Sequence, residues 1–171
     1  MYLHDMKHTY NAHLIWDGNL GDGTSSYARY GRDYHVDIAG KPELRGSADP
    51  MFRGVAARHN PEDLFLASIT TCHMLSYLAL CARRGVNVLS YQDRAHAVLA
   101  VRADGSGTFE SVALSPVVTI ARDSDPATAM ALHEAAHAEC FVASSLRVSI
   151  AIDATCLVES DEPLAVGERA S

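Results

Sequence analysis

The stretch that decides the fold is residues 60–86, which read NPEDLFLASITTCHMLSYLALCARRGV. Asn60 is a good N-cap, Pro61 suits the first helical position, and two acidic residues follow near the positive end of the helix dipole. Two arginines and then Gly85 are typical of a helix end. Because the sequence between these ends is apolar almost all round, we predict a long helix that is buried in a core or an interface.

Strands and a second helix are predicted on either side of this helix. Five segments carry the β-forming residues and the alternation that are typical of strands: 7–18, 27–40, 91–101, 108–122 and 147–159. A second helix is predicted over 127–140, after Asp125 and Pro126. Residues 41–59 are rich in proline, glycine and charge, and we expect them to form an irregular connection.

The order β-β-α-β-β-α-β predicts an α+β fold with mostly antiparallel strands. A chain of 171 residues suits one domain, which we place at 1–159, and residues 160–171 are predicted to form a frayed C-terminal tail. Hydrophobic residues make up 48% of the chain, which is enough for a core, so wholesale disorder is not expected.

Charge and hydropathy exclude several classes of protein. The formal charge is −7, with acidic and basic residues interspersed, which does not fit a nucleic-acid binder. No uninterrupted apolar run reaches the ~18 residues of a membrane span, and the N-terminus lacks the apolar core of a secretory signal. We therefore expect a cytoplasmic protein without nucleic-acid or membrane partners. In that compartment its four cysteines are expected to be reduced, catalytic or inert, not structural bridges.

Residues 133–140, HEAAHAEC, contain the H-E-x-x-H pattern of zinc peptidases. On a helix this pattern places His133 and His137 on one face, but a catalytic zinc needs a third protein ligand. No histidine follows His137, and the acidic residues after it lie in a strand or in the tail. We therefore predict no metal site and expect a helix surface that carries the two histidines and Glu134.

Cys72 lies near the middle of the first predicted helix, and its sequence context leaves two interpretations open. A cysteine inside an apolar helix is more often a small core residue than a nucleophile. Cys81, nine residues on, falls on the opposite face at ~100° per residue, so these two thiols cannot share a site. We expect Cys81 and Cys156 to be core residues.

Three features of the sequence occur together: Asn60-Pro61-Glu62 opens the first helix, Cys72 stands ten residues after the glutamate, and Cys140 comes late in the chain. With the order of helices and strands, they resemble the OsmC/Ohr family of thiol peroxidases, the osmotically inducible and organic-hydroperoxide-resistance proteins. The resemblance implies an OsmC-like fold, with sheets packed around a long buried central helix. It also implies an intertwined homodimer that needs no metal or flavin.

Two positions depart from the best-known members of the family. Phe141 follows Cys140 where many members have proline, and His73 follows Cys72. The sequence is therefore closer to a less-studied branch. Because His73 is the immediate neighbour of Cys72 on a helix, it points away from the thiol, and we expect a pocket or interface residue and not a general base.

The resemblance implies the reduction of organic hydroperoxides to alcohols. Cys72 would be the peroxidatic thiolate and would become a sulfenic acid, and Cys140 would condense with it to a disulfide. An external dithiol, for which the family suggests a lipoylated protein, would restore both thiols. The alternative is a non-catalytic protein that binds small apolar or thiol-reactive ligands in a pocket at the dimer interface.

The implied thiolate needs a nearby cation, because burial in an apolar helix disfavours the charged form. In the family an arginine supplies this charge, and the glutamate of the Asn-Pro-Glu segment orients it. Glu62 matches that glutamate, although it would also compensate the helix dipole. We assign the arginine to Arg32, with Arg29 as the runner-up. A solvated strand residue or a surface ion pair is the alternative for both arginines.

Helix geometry makes the implied site composite. Glu62 and Cys72 would be ~15 Å apart along a straight helix, which is too far for one arginine to bridge within a subunit. The glutamate that serves one Cys72 would then come from the partner chain, at a dimer interface. A helix that is apolar on every face supports this, since a single-domain monomer would struggle to cover it.

Overall fold

The computed structural model of the chain describes residues 7–160. The chain divides into two compact units, and the division lies between Phe65 and Leu66. The single domain predicted over 1–159 stays a prediction. The tail predicted over 160–171 lies outside the described residues, apart from Ser160.

Helices and strands follow one another in an order that confirms the predicted α+β class. The first unit holds an antiparallel sheet of β1, β2 and β3, which are His13–Trp16, Tyr34–Asp37 and Leu44–Gly46. The α-helices are α1 at Pro61–Arg83, α2 at Pro126–Glu139 and α3 at Phe141–Ser144. The second unit contains β4 to β9, which are Val88–Asp93, His96–Val101, Gly107–Leu114, Pro116–Ile120, Ile150–Ile152 and Thr155–Val158.

α1 begins and ends where the sequence predicts. Asn60 Oδ1 accepts a hydrogen bond from the Asp63 N–H at 2.7 Å, and Asp63 Oδ2 accepts one from the Asn60 N–H at 3.2 Å. This reciprocal pair caps the first turn. At the other end Gly85 has a φ of +74°, and the Val86 N–H donates to the Cys81 carbonyl at 2.9 Å. That bond belongs to a Schellman ending, which glycine permits because it adopts positive φ without strain.

The prediction that α1 is buried holds for one face of the helix within the described chain. The buried side chains recur at helical spacing and are Ile69, His73, Tyr77, Leu80 and Cys81. Leu75, on another face, is 62% exposed. By length and average hydropathy α1 is apolar enough to cross a membrane, although polar residues interrupt its apolar run. The core helix of a soluble protein passes the same test.

The core of the second unit lies between the helices and one of its sheets. Its buried members come from α1, α2, β7 and the turn after α1: Tyr77, Leu80, Cys81, Val86, Val118, Ile120, Ala129, Leu132 and Ala136. Burying one large apolar side chain stabilises a fold by roughly 1.5–3 kcal/mol. Burial of this cluster is therefore the main contribution that holds α1 and α2 on the sheet.

Each of the three long strands predicted after α1 is in fact two shorter strands, which corrects the sequence analysis. One sheet has the order β4-β7-β9 and the other β5-β6-β8. Each extended segment therefore bends and contributes one strand to each sheet. The β6–β8 and β7–β9 pairs are parallel, and the other pairs of named strands are antiparallel, which confirms the expectation of mostly antiparallel strands.

The middle segment changes sheets at Ser115 and Pro116. Proline has no N–H to donate to a ladder, and it stands here at the first position of β7, where a strand tolerates it. The Ser115 N–H donates instead to Asp93 Oδ1 at 2.8 Å, and Asp93 Oδ2 accepts a hydrogen bond from the Thr70 hydroxyl of α1. Asp93 therefore ties the bend between the sheets to the helix.

In the first unit the strands are shorter than the sequence predicts. β1 ends and β2 begins beside the point where Gly18 and Gly31 meet, and the Gly31 N–H donates to the Gly18 carbonyl at 2.8 Å. A Cβ on Gly18 would lie 1.9 Å from the Gly31 carbonyl oxygen, so this close approach requires glycine. The connection at 41–59, which we expected to be irregular, contains β3 and a 3-10 turn at Pro50–Phe52.

Replacing Asn60 with alanine should lower the free energy of unfolding by about 1 kcal/mol, because the first turn of α1 loses its cap. Asn60→Ser should retain most of the stability, since serine is also a good N-cap. Urea denaturation followed by circular dichroism measures the change, with Asn11→Ala at an exposed position as the control. An unchanged midpoint in Asn60→Ala would contradict the capping role.

Candidate functional site

Cys72 and Cys140 come together in the second unit. α1 carries Cys72, which is half-buried, and Cys140 is the residue at which α2 ends and α3 begins. Cys140 is 1% exposed, and its thiol shares a hydrogen bond with the thiol of Cys72. Its sulfur also accepts a hydrogen bond from the Ala143 N–H at 3.4 Å. Both cysteines are free thiols.

The Cys140 thiol is held in its neutral, protonated form. Burial, and then the hydrogen bond with Cys72, raise the pKa of the Cys140 thiol to about 11. At neutral pH Cys140 is therefore a protonated thiol. Since the thiolate is the reactive form of cysteine, burial makes Cys140 a poor nucleophile in this state.

Of the other two cysteines, Cys81 is a core residue, as the sequence predicts, and Cys156 is half-buried at the edge of the core. Cys81 is 1% exposed in the hydrophobic cluster, and Cys156 packs against that cluster from β9. Burial raises the pKa of both thiols, which keeps them protonated at neutral pH. Since the thiolate is the reactive form of cysteine, neither is suited to attack a substrate.

A buried pair of histidines joins α1 to α2. His73 Nε2 lies 3.1 Å from His133 Nδ1, and the two rings are stacked with their centroids 5.4 Å apart. The His133 ring also stacks on Tyr77, at 3.9 Å between centroids. His133 is 5% exposed because it lies four residues after Ala129 on the core face of α2. The expectation of a surface histidine is therefore wrong at this position, although Glu134 is exposed.

Both imidazoles of this pair are neutral at physiological pH. Burial lowers the pKa of His73 and lowers that of His133 to about 4, because a charged ring would lose its hydration. The charge of His137 lowers the pKa of His73 further, the charge of His73 lowers that of His133, and Asp93 opposes both shifts. The outer nitrogens of the pair, His73 Nδ1 and His133 Nε2, are buried and have no hydrogen-bond partner among residues 7–160.

The H-E-x-x-H residues line a pocket. His133, Glu134 and His137 border a cavity of about 350 Å³, together with apolar side chains that include Ile150 and Ile152 of β8. Neither cysteine of the pair borders it. Among the described residues, ligand atoms close enough together to hold a metal ion belong to His35, Asp37 and Glu43. These three residues lie in the first unit and do not border the pocket.

Arg32 lies in the first unit, in the loop before β2, which holds its guanidinium in place. Its nitrogens donate to the carbonyl oxygen of Tyr30 and, at 2.7 Å, to that of Tyr27. Its Cζ atom lies 3.9 Å from the ring centroid of Tyr30 and 4.4 Å from that of Tyr27, within the range of cation–π attraction. Arg29 is exposed and forms an ion pair with Asp22. The guanidinium of Arg32 is therefore held by contacts within its own loop, whereas that of Arg29 pairs with an exposed carboxylate.

Glu62 lies in the first turn of α1, in the first unit. Its Oε2 atom is buried and has no hydrogen-bond partner within the residues that the structure covers. Burial raises the pKa of Tyr34, and the charges of Glu62 and Asp63 raise it further. A shielded carboxylate oxygen without a partner is costly, so this atom is suited to receive a cationic group. The predicted orientation of Arg32 by Glu62 stays a prediction.

The chain belongs to the OsmC-like family. The family model described as OsmC-like protein matches residues 54–155, which include all of α1 and α2 and both members of the cysteine pair. The resemblance inferred from the sequence is thereby confirmed. Among curated proteins, none matches the chain.

Solved structures share this fold. An OsmC-like protein of unknown function from Vibrio cholerae aligns with a TM-score of 0.78 at 26% identity, over 86% of this chain and 99% of its own. An organic hydroperoxide resistance protein from Elizabethkingia anophelis aligns with a TM-score of 0.66 at 18% identity, over 91% and 100%. The organic hydroperoxide resistance protein OhrB of Bacillus subtilis gives 0.54 at 20% identity, over 86% and 98%. These alignments confirm the predicted OsmC-like fold.

Acidification should destabilise the protein through His133. The pKa of this side chain is about 4 in the folded chain, against an ordinary value of 6.5. Between these values the unfolded chain binds a proton that the folded chain does not, so stability falls as the pH falls from 6.5 towards 4. The contribution of His133 should reach ~3 kcal/mol, and urea midpoints measured from pH 7 to pH 4 report it.

Two variants isolate this contribution from that of the carboxylates. His133→Phe should weaken the pH dependence, because phenylalanine can still stack on Tyr77 but does not titrate. His96→Gln, at an exposed position of β5, should leave the pH dependence unchanged. A His133→Phe protein with the wild-type dependence on pH would contradict the assignment.

Proposed function

We propose that the protein is a thiol-dependent peroxidase that reduces organic hydroperoxides to alcohols. The observation that carries the proposal is the hydrogen bond between the Cys72 and Cys140 thiols, which brings two free cysteines from distant parts of the chain together. Membership of a family in which some structures are organic hydroperoxide resistance proteins supports it. The redox-active atoms are two sulfur atoms of this chain, so the reaction is written without a metal or flavin.

The reaction has three steps. The Cys72 thiolate attacks the distal peroxide oxygen, the O–O bond breaks, and the leaving alkoxide takes a proton and departs as the alcohol. Cys72 is then a sulfenic acid, and the Cys140 sulfur attacks it, forming the disulfide and releasing water. An external dithiol reduces this disulfide by thiol–disulfide exchange and is itself oxidised to a disulfide, which restores both thiols.

Arg32 and Glu62 have supporting roles in this proposal. The guanidinium of Arg32 stabilises the Cys72 thiolate, and the buried Oε2 atom of Glu62 receives and orients the guanidinium. The rings of Tyr27 and Tyr30 restrain the guanidinium of Arg32 within its loop. Arg29, which pairs with Asp22 at the surface, has no part in the reaction.

The active species in this proposal is a cytoplasmic homodimer. One face of α1 is uncovered in the described chain, with Leu75 62% exposed, and a second copy would bury it. Four free cysteines suit a reducing compartment. The reductant is an external dithiol, and a lipoylated protein has the required chemistry. The glutamate and the thiol of one site would come from different subunits.

Cys72→Ser should abolish peroxide-dependent oxidation of a dithiol, because the attacking sulfur is gone. Cys140→Ser should still form a sulfenic acid on Cys72 in a single turnover but should not form the disulfide. Dithiol consumption with cumene hydroperoxide, combined with mass spectrometry of the protein, measures both steps. Cys156→Ala, at the half-buried cysteine of β9, is the control and should retain activity. Equal rates in wild type and Cys72→Ser would leave only a non-catalytic ligand binder.

Arg32→Met should slow alkylation of Cys72 by iodoacetamide at pH 7 by about tenfold or more, because a thiolate that loses a nearby positive charge is disfavoured. Methionine keeps much of the apolar stem of arginine without its charge. Peptide mapping gives the rate at Cys72 alone. Arg29→Met is the matched control and should leave the rate unchanged. A tenfold effect at Arg29 with none at Arg32 would reverse the assignment.

A further inference from the structure

The histidine pair connects the two helices that carry the reactive thiols. His73 is the residue after Cys72 on α1, and His133 lies seven residues, or about two turns, before Cys140 on α2. The 3.1 Å contact between His73 Nε2 and His133 Nδ1 is therefore a direct hydrogen bond between the two helices. It is buried, so water does not compete for it.

The pair is an unfavourable choice if its purpose is only to fill the core. Two neutral imidazoles carry two N–H groups, and one of these makes the shared bond. The other N–H must then sit on an outer nitrogen, either His73 Nδ1 or His133 Nε2, and both are buried without a partner in the described part of the chain. A pair of apolar side chains would avoid that cost.

The bond has a defined geometry that apolar packing would not supply. The His133 ring stacks on Tyr77 with an interplanar angle of 12°, and it is nearly parallel to the His73 ring, at 15°. Stacking restrains rotation of the ring, and the hydrogen bond fixes the distance between the helices at this level. Because Cys72 and Cys140 extend from the same two helices, the bond restrains the approach of their sulfur atoms.

We propose that His73 and His133 are positioning residues, and that their hydrogen bond sets how readily Cys72 and Cys140 form a disulfide. The proposal deepens the peroxidase function, since that disulfide is its second step. Neither histidine needs to touch the peroxide or the reacting sulfur atoms. The role can also be measured without peroxide, as the equilibrium between the dithiol and disulfide forms of the protein.

The equilibrium is set against dithiothreitol at pH 7. The Cys72 and Cys140 thiols lose two electrons and two protons to form the S–S bond, and oxidised dithiothreitol gains them and opens to its dithiol. The fraction of protein with the Cys72–Cys140 cross-link, read by mass spectrometry over a range of reduced to oxidised dithiothreitol, gives the equilibrium constant. Reading the cross-linked peptide excludes disulfides at other cysteines.

Two substitutions at His133 separate the hydrogen bond from the packing. In His133→Asn the amide group takes the place of the ring nitrogen Nδ1 and can bond His73, but the stacking on Tyr77 is lost. In His133→Phe the stacking remains and the hydrogen bond is lost. We expect a wild-type equilibrium constant in His133→Asn and a constant about three- to tenfold less favourable to the disulfide in His133→Phe.

The proposal would be overturned if His133→Phe had the wild-type equilibrium constant and His133→Asn formed the disulfide less readily. Equal equilibrium constants in the wild type and both variants would also overturn it. If either variant fails to fold by circular dichroism, His73→Gln and His73→Leu make the same comparison from the other helix. The amide of glutamine can take the place of Nε2 of His73, so His73→Gln should keep the wild-type equilibrium constant. His73→Leu lacks the hydrogen bond, so its equilibrium constant should be less favourable to the disulfide. An equal loss in both His73 variants also overturns the proposal.

Peroxide assays on the same variants keep this inference separate from the proposed function. If the wild type consumes cumene hydroperoxide and the equilibrium constants are all equal, the peroxidase stands and the positioning role is wrong. If the constants change as expected and the wild type consumes no peroxide, the positioning role stands and the peroxidase function is wrong.

Discussion

The packing of one face of α1 in the core of the second unit is the constraint on which the rest of the structure depends. Ile69, Tyr77 and Leu80 are buried on this face, and burial of this size fixes the rotation of the helix about its axis. Once the rotation is fixed, the positions of Cys72 and His73 follow. Cys72 comes to the edge of the core, within reach of Cys140, and His73 points into it.

Burial in this region acts on acids and bases in opposite directions but with one result. It raises the pKa of the Cys140 thiol and lowers that of the His133 imidazole, because each group is driven to its neutral form. Cys140 and His133 are therefore neutral groups that bond their neighbours through hydrogen bonds. A cation that stabilises the proposed thiolate must come from another side chain, and the proposed mechanism takes it from an arginine.

The sequence predicted the ends of α1 because these depend on local signals, whereas the pairing of Cys72 with Cys140 was implied by the resemblance to the OsmC/Ohr family. An N-cap residue and a glycine ending identify a helix without knowledge of its neighbours. The bend at Ser115 was missed because β-forming residues continue through both strands of that segment, and Pro116 was the available signal. The contact between His73 and His133 joins residues 60 apart in sequence, and no periodicity can show it.

H-E-x-x-H illustrates how the same four-residue spacing can serve two purposes. On an exposed helix it would present two imidazoles to a metal ion. On α2 the face that carries His133 is the face that packs on the core, so this imidazole bonds another histidine across the helices. The spacing of residues gives only the angle between their side chains around the helix axis. The apolar residues at the other positions, here Ala129 and Ala136, decide which face of the helix is buried and which is exposed to solvent.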